Sequence, residues 1–130
     1  MIEDYLQHID ELLSASPAVR DIEIIRRTLR NTEWEKVLHY RYRVFLTDGC
    51  LLEMSERLVE RRGRVTTTKY RHHWQDREGR LRKRWDNAPH HPEIDTFPDH
   101  LHDGAEEQVV GHAAVTGLAV LQHVLAEVGI

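Results

Sequence analysis

Residues 83–102 read KRWDNAPHHPEIDTFPDHLH and hold four of the chain's ten histidines and three of its four prolines, with few apolar side chains. Imidazole titrates near neutral pH, so such a group is suited to taking and giving protons, and its neutral ring nitrogens are good metal ligands. Pro89 and Pro92 bracket His90-His91 and restrict the backbone on both sides. His100 and His102 are one residue apart, so an extended chain turns both rings the same way. Three readings follow: a metal site, an acid–base site, or a stiff polar loop without chemistry. For the first, His100 and His102 would be joined by Asp99, Asp103 or a histidine of the 90–91 pair. The stretch has neither an HExxH helix nor paired cysteines, so the spacing speaks only weakly for metal. No motif in the chain calls for a cofactor.

The acid–base reading has a natural substrate. RNA is cleaved without metal when a base takes the 2′-hydroxyl proton, an acid protonates the leaving 5′-oxygen, and cations steady the charged phosphorane. Histidine suits both proton roles and arginine the third, because its planar fork matches phosphate oxygens. The candidate proton carriers and their orienters are His73, Asp86, His90, His91, His100 and His102. The candidate RNA contacts are Arg71, Arg82 and Arg84, with Trp74 and Trp85 as surfaces on which bases could stack. Two of these have plainer readings. Tyr70 and Trp74, four apart on a strand, share a face and are more at home in a core. Asp86 before Asn87 is as well placed to start a turn as to orient an imidazole. His8, His39, His112 and His123 read as ordinary helix or strand residues.

These side chains need a scaffold, and the pattern upstream is strongly β. Residues 19–30 are rich in Ile, Arg and Thr. In 34–47, Leu38, Tyr40, Tyr42, Val44 and Leu46 alternate with His39, Arg41 and Arg43. Asp48-Gly49 marks a hairpin, 51–59 returns, Arg62-Gly63 turns again, and 65–75 and 80–85 follow. An amphipathic helix precedes the strands, with Tyr5, Leu6, Ile9, Leu12 and Leu13 on one stripe and Pro17 to stop it. A second follows at 117–128, with Thr116 as its N-cap. The expected fold is α+β: one domain over residues 1–130, an antiparallel meander of about five strands flanked by an N-terminal and a C-terminal helix. One sheet face is expected under the helices, and the other, with arginines and aromatics, open. Residues 87–111 read as a long irregular connection.

The net charge of −4 hides an asymmetry. Residues 57–85 carry 11 Lys/Arg against three Asp/Glu, and the remainder is strongly acidic. The basic third is suited to a polyanion or an acidic partner. A single cysteine, Cys50, excludes an intramolecular disulfide and fits a reducing compartment. The acidic, amphipathic N-terminus does not read as a signal peptide, and no apolar run approaches the roughly 20 residues of a membrane span. A cytoplasmic protein without membrane contact is expected.

Residues 69–102, KYRHHWQDREGRLRKRWDNAPHHPEIDTFPDHLH, resemble the signature stretch of the TumE-like toxins, the toxin components of type II toxin–antitoxin pairs. The resemblance is carried by His73-Trp74-Gln75-Asp76, by RWDNAPHHP at 84–92 and by TFPDHLH at 96–102; YRYRVFLTDGCLLEMSERL at 40–58 is similar to the family's central hairpin. It implies a cytosolic toxin neutralised by a co-encoded antitoxin, often a DNA-binding protein, and it favours the RNA-cleaving reading over a binding module or a metal-dependent hydrolase. A homodimer is compatible with it. The resemblance assigns no catalytic residue, so the nominations above rest on their chemistry.

Overall fold

The alternation in residues 34–47 becomes a strand whose even-numbered side chains are buried. Leu38, Tyr40, Tyr42, Val44 and Leu46 lie at 3% exposure or less, while Arg41 is exposed. This strand is one of seven that form a single antiparallel sheet. The computed structural model describes residues 1–129; Ile130, the last residue of the expected domain, lies outside the described residues. Within these, the order is α1 (Ile2–Ala15), β1 (Val19–Asn31), β2 (Lys36–Leu46), β3 (Leu51–Arg61), β4 (Arg64–Gln75), β5 (Leu81–Asp86), β6 (His100–Asp103), β7 (Val109–Gly111) and α2 (Gly117–Val128). Each strand pairs with the next, so space follows sequence from β1 to β7.

Turn chemistry sets the meander. Gly49 sits at φ +89°, which a residue with a Cβ rarely adopts, and the Asp48 carboxylate accepts the Cys50 N–H. Arg62 and Gly63 both have positive φ, as a two-residue turn between right-twisted strands requires. Both helices cover one face. Ile2, Leu6, Ile9 and Leu13 of α1 and Val120, Leu121 and Val124 of α2 meet Tyr40, Tyr42, Leu52, Met54, Tyr70, Trp74 and Trp85 of the sheet. Burying each large apolar side chain contributes roughly 1.5–3 kcal/mol, so this layer holds the fold. Pro17 follows α1, and Thr116 caps α2 by accepting the Ala119 N–H at 3.1 Å.

Two expectations need correction. The sheet has seven strands, not about five, because the supposed irregular connection at 87–111 contains β6 and β7. These are four and three residues long. They are too short and too polar for alternation to show, and Leu101 is the only buried apolar side chain they bring. The open face also lacks the aromatics expected there: Trp85 turns the other way and packs in the core beneath the helices, with Tyr40, Tyr42, Tyr70 and Trp74, for which the sequence favours a core place. On the helix-free face Arg26, Arg41, Arg57, Lys69 and Arg71 gather with His39, Glu53, Ser55 and Ile25, and Phe45 lies beneath the Arg20 guanidinium.

Candidate active site

Strand register brings the histidine stretch together. Asp86 lies opposite His100 and Arg84 opposite His102 in the β5–β6 pair, while β4 places Arg71 beside Asp86 and His73 beside Arg84. Two rows therefore cross the helix-free face: Arg71–Asp86–His100 and His73–Arg84–His102. Neighbours in a row are about 4.8 Å apart in the strand-pairing direction. The connection between β5 and β6 folds back over these rows. It sets the His91 ring 4.9 Å from His100 and 5.8 Å from His102, centroid to centroid, and the latter two are 4.9 Å apart.

Asp86 is the hub. Its carboxylate is 7% exposed. Oδ1 accepts the Ala88 N–H at 3.0 Å and lies 2.9 Å from His100 Nε2. Oδ2 faces Arg84 Nε at 3.4 Å and His102 Nε2 at 3.6 Å. Asp86 thus starts a turn through Ala88 and also faces the two imidazoles. His100 Nδ1 donates to the Pro98 carbonyl at 2.9 Å and His102 Nδ1 to the Glu106 carbonyl at 2.8 Å. A carbonyl only accepts, so Nδ1 carries the proton in each ring. The three rings of His91, His100 and His102 place a ligating nitrogen each within 4.8 Å of the others, the one such group among the described residues.

The cluster opens into a cavity of about 360 Å³ lined also by Lys69, Arg71, Asn87 and His90. A larger trough of about 580 Å³ lies next to it on the same face. It is lined by Arg26, Arg41, Arg57, Lys69 and Arg71 around a single acid, Glu53. Lys69 and Arg71 line both, so the trough leads to the cluster. His39 also lines the trough; burial lowers its pKa, and Arg26, Arg57 and Lys69 lower it further. The smaller cavity gathers the imidazoles and Asp86, while the larger one is lined mainly by cations.

A family model described as "Toxin TumE" matches residues 9–129. The chain belongs to the TumE toxin family. No curated protein and no solved structure matches it. Family membership makes the chain a toxin component, which implies an antitoxin partner. No helix of this TumE-family toxin is long and apolar enough to cross a membrane.

In the TumE-family chain, Asp86, His90, His91, His100, His102, Arg71 and Arg84 all line one cavity. The remaining candidates do not. Trp74 and Trp85 are 2% and 5% exposed in the core, so they offer no face for base stacking. Arg82 stacks over Trp74 at 4.1 Å and is not part of the cavity lining. His73 lies beyond Arg84 in its row and bonds Gln75 through Nε2 at 2.9 Å; burial lowers its pKa. Arg84 has a different role from the one expected. Both its terminal nitrogens grip the Glu106 carboxylate at 2.5 Å, and its side chain is only 12% exposed. With Nε toward Asp86 and both terminal nitrogens on Glu106, it presents no free fork to a phosphate. Sequence reasoning missed Glu106, Arg26 and Lys69. Arg26 and Lys69 could have been found from strand parity once the register was known. Glu106 sits in the β6–β7 turn, and nothing in its local sequence marks it.

Proposed function

We propose that the chain is the toxin of a type II pair and cleaves RNA by metal-independent acid–base chemistry at the Asp86 cluster, with a DNA-binding antitoxin as its neutralising partner. The observation that carries this reading is the meeting of three imidazoles, two of them facing one buried carboxylate, at the end of a basic trough. The trough suits a single-stranded phosphate backbone, with Arg71 and Lys69 next to the scissile phosphate. His100 is tied at both nitrogens, by the Pro98 carbonyl and by Asp86, and acts as a positioning residue. His102 Nε2, at 3.6 Å, lies beyond hydrogen-bond distance of Asp86, and His91 bonds only Glu93. These two rings are the proton carriers. One takes the 2′-hydroxyl proton as the 2′-oxygen bonds to phosphorus. The other protonates the 5′-oxygen as its bond to phosphorus breaks, leaving a 2′,3′-cyclic phosphate and a 5′-hydroxyl. Each proton transfer is worth roughly 10²–10⁴-fold in rate.

The test is incubation of the purified chain with end-labelled RNA, with and without EDTA, beside a His91→Ala/His102→Ala variant. Cleavage that survives EDTA, ends in cyclic phosphate and is lost in a folded variant is the expected result. A folded wild-type chain that is toxic on expression but cleaves no RNA would overturn the nuclease reading and leave the basic face as a binding surface.

A further inference from the structure

Both β6 rings have their Nδ1 protons fixed by backbone carbonyls, so in the neutral state each presents an Nε2 lone pair. Both Nε2 atoms face the Asp86 carboxylate, at 2.9 and 3.6 Å. Two lone pairs set against a carboxylate repel unless a cation lies between them, either a proton on the ring or a metal ion. Metal-ligating imidazoles are commonly held this way, with the far nitrogen donating to a carbonyl that fixes tautomer and ring angle. A third ring, His91, completes the set from a different segment of the chain.

We infer that His91, His100 and His102, with Asp86 beside them, form a binding site for a divalent transition-metal ion such as Zn²⁺. The inference rests on the acid–base reading for its consequence: the bound ion takes the lone pairs that proton transfer needs and so inhibits RNA cleavage. Distances permit it. Three atoms within 4.8 Å of one another always leave a point no more than about 2.8 Å from any of them, and Zn–N bonds are about 2.1 Å. Each ring has to close by no more than about 0.7 Å, the difference of those two distances. His91 can supply much of that, since it sits on the connection and its one side-chain hydrogen bond among the described residues is to the exposed Glu93. Three imidazoles and one carboxylate select zinc, cobalt, nickel or copper over magnesium and calcium, which prefer an all-oxygen shell.

The full chain, stripped with EDTA, is titrated with Co²⁺ and followed by visible absorption, then back-titrated with Zn²⁺. The same titrations are run on His91→Ala, on His102→Ala and on a His112→Ala control. The expected result is one ion per chain, an intense band from low coordination number, and affinity at least tenfold weaker in His91→Ala and His102→Ala but unchanged in His112→Ala. With Zn²⁺ at a hundredfold excess over its Kd, the melting temperature rises by about 10 °C. If His102→Ala fails to fold, His91→Ala decides the question, because His91 belongs to no strand or helix. Equal affinity in wild type and His91→Ala, or binding of Mg²⁺ as tight as Zn²⁺, overturns the site. Cleavage assays on the same samples separate the two proposals. Metal-free cleavage stopped by Zn²⁺ and restored by EDTA supports both. Zn²⁺ binding without cleavage under any condition supports the metal site and sinks the nuclease. Cleavage undiminished by saturating Zn²⁺, or dependent on it, overturns inhibition.

Discussion

Two carboxylates are buried in this sheet, one on each face, and their surroundings differ in kind. Glu56 points under the helices at 0% exposure. One of its oxygens accepts from the hydroxyls of Tyr5 and Tyr40, while the other has no partner among the described residues. Burial pushes its pKa up, against the smaller opposing pull of those hydroxyls. Asp86 is buried almost as deeply, yet it meets two imidazoles, a guanidinium and the wall of a cavity. Burial alone therefore does not mark a functional acid. Groups that can carry charge or protons, together with an open cavity, set Asp86 apart and support its proposed role, whereas Glu56 meets only tyrosine hydroxyls in the core.

Removing the charge at each position tests that distinction most strongly. Asp86→Asn keeps the shape and loses the carboxylate that orients His100. RNA cleavage is expected to fall by about 100-fold or more, with the melting temperature within a few degrees of wild type. Glu56→Gln is expected to leave cleavage per folded molecule within about threefold, because neither proton carrier touches it. Single-turnover rates on one labelled oligonucleotide, with melts of the same samples, check both. Equal losses in the two variants would erase the difference between the faces.

The next effect is on stability alone. Gly117 opens α2 directly against the Glu56 carboxylate and the Tyr40 hydroxyl, and a Cβ there would overlap both. Gly117→Ala is expected to cost about 1–3 kcal/mol by overpacking, seen as a lower urea midpoint, while folded variant cleaves RNA at the wild-type rate.

How far these two regions were legible in the sequence follows from the same contrast. The helix side was readable because its residues obey a period: alternation over eleven residues in β2 and a stripe in each helix leave one way to form a core. That reasoning also placed Tyr70 and Trp74 inside. The site side was readable in composition but not in geometry. His100 and His102 lie on a strand of four residues, and which carboxylate they face depends on the pairing of β5 with β6. Asp86 could be nominated from its neighbours, but its contact with both rings required that register. Arg84 and Glu106, 22 residues apart, illustrate the limit: their ion pair is set by a turn with no local signal.

The two faces also answer acid differently. His72 is fully buried on the helix side without a hydrogen-bond partner among the described residues, and burial pushes its pKa down to about 3. Its folded pKa lies below the unfolded value of about 6.5, so the unfolded chain binds the proton more readily. Its contribution to stability is complete above pH 6.5 and is lost as pH falls from there toward 3. The slope is at most about 1.4 kcal/mol per pH unit. Glu56, with a raised pKa, has the opposite sign, since its folded form keeps a proton longer as pH rises. Urea midpoints between pH 7 and pH 4 for wild type and His72→Phe isolate the histidine, because Glu56 is common to both. The expected difference curve falls toward acid in wild type. A flat difference would mean that His72 finds a partner for its proton in the folded chain.

The smallest effect distinguishes a basic surface from a basic trough. Arg57 lines the trough and bonds only Thr68, so its charge is available to a phosphate. Arg80 is equally basic in sequence terms, but it lies at the β4–β5 turn, outside both cavities, and is committed to Asp76 and Glu78. Each phosphate neutralised on a single strand contributes about 0.7 to the slope of log affinity against log salt. Arg57→Gln is expected to lower that slope by about this amount for a single-stranded RNA, and Arg80→Gln to leave it unchanged. Fluorescence anisotropy at four salt concentrations measures both. Equal losses would mean that RNA reads the summed charge of residues 57–85 and not the groove that the fold makes from Arg26, Arg41, Arg57, Lys69 and Arg71. A loss confined to Arg57 ties binding to the grooved part of the basic face, where Arg57 sits, and not to its charge at large.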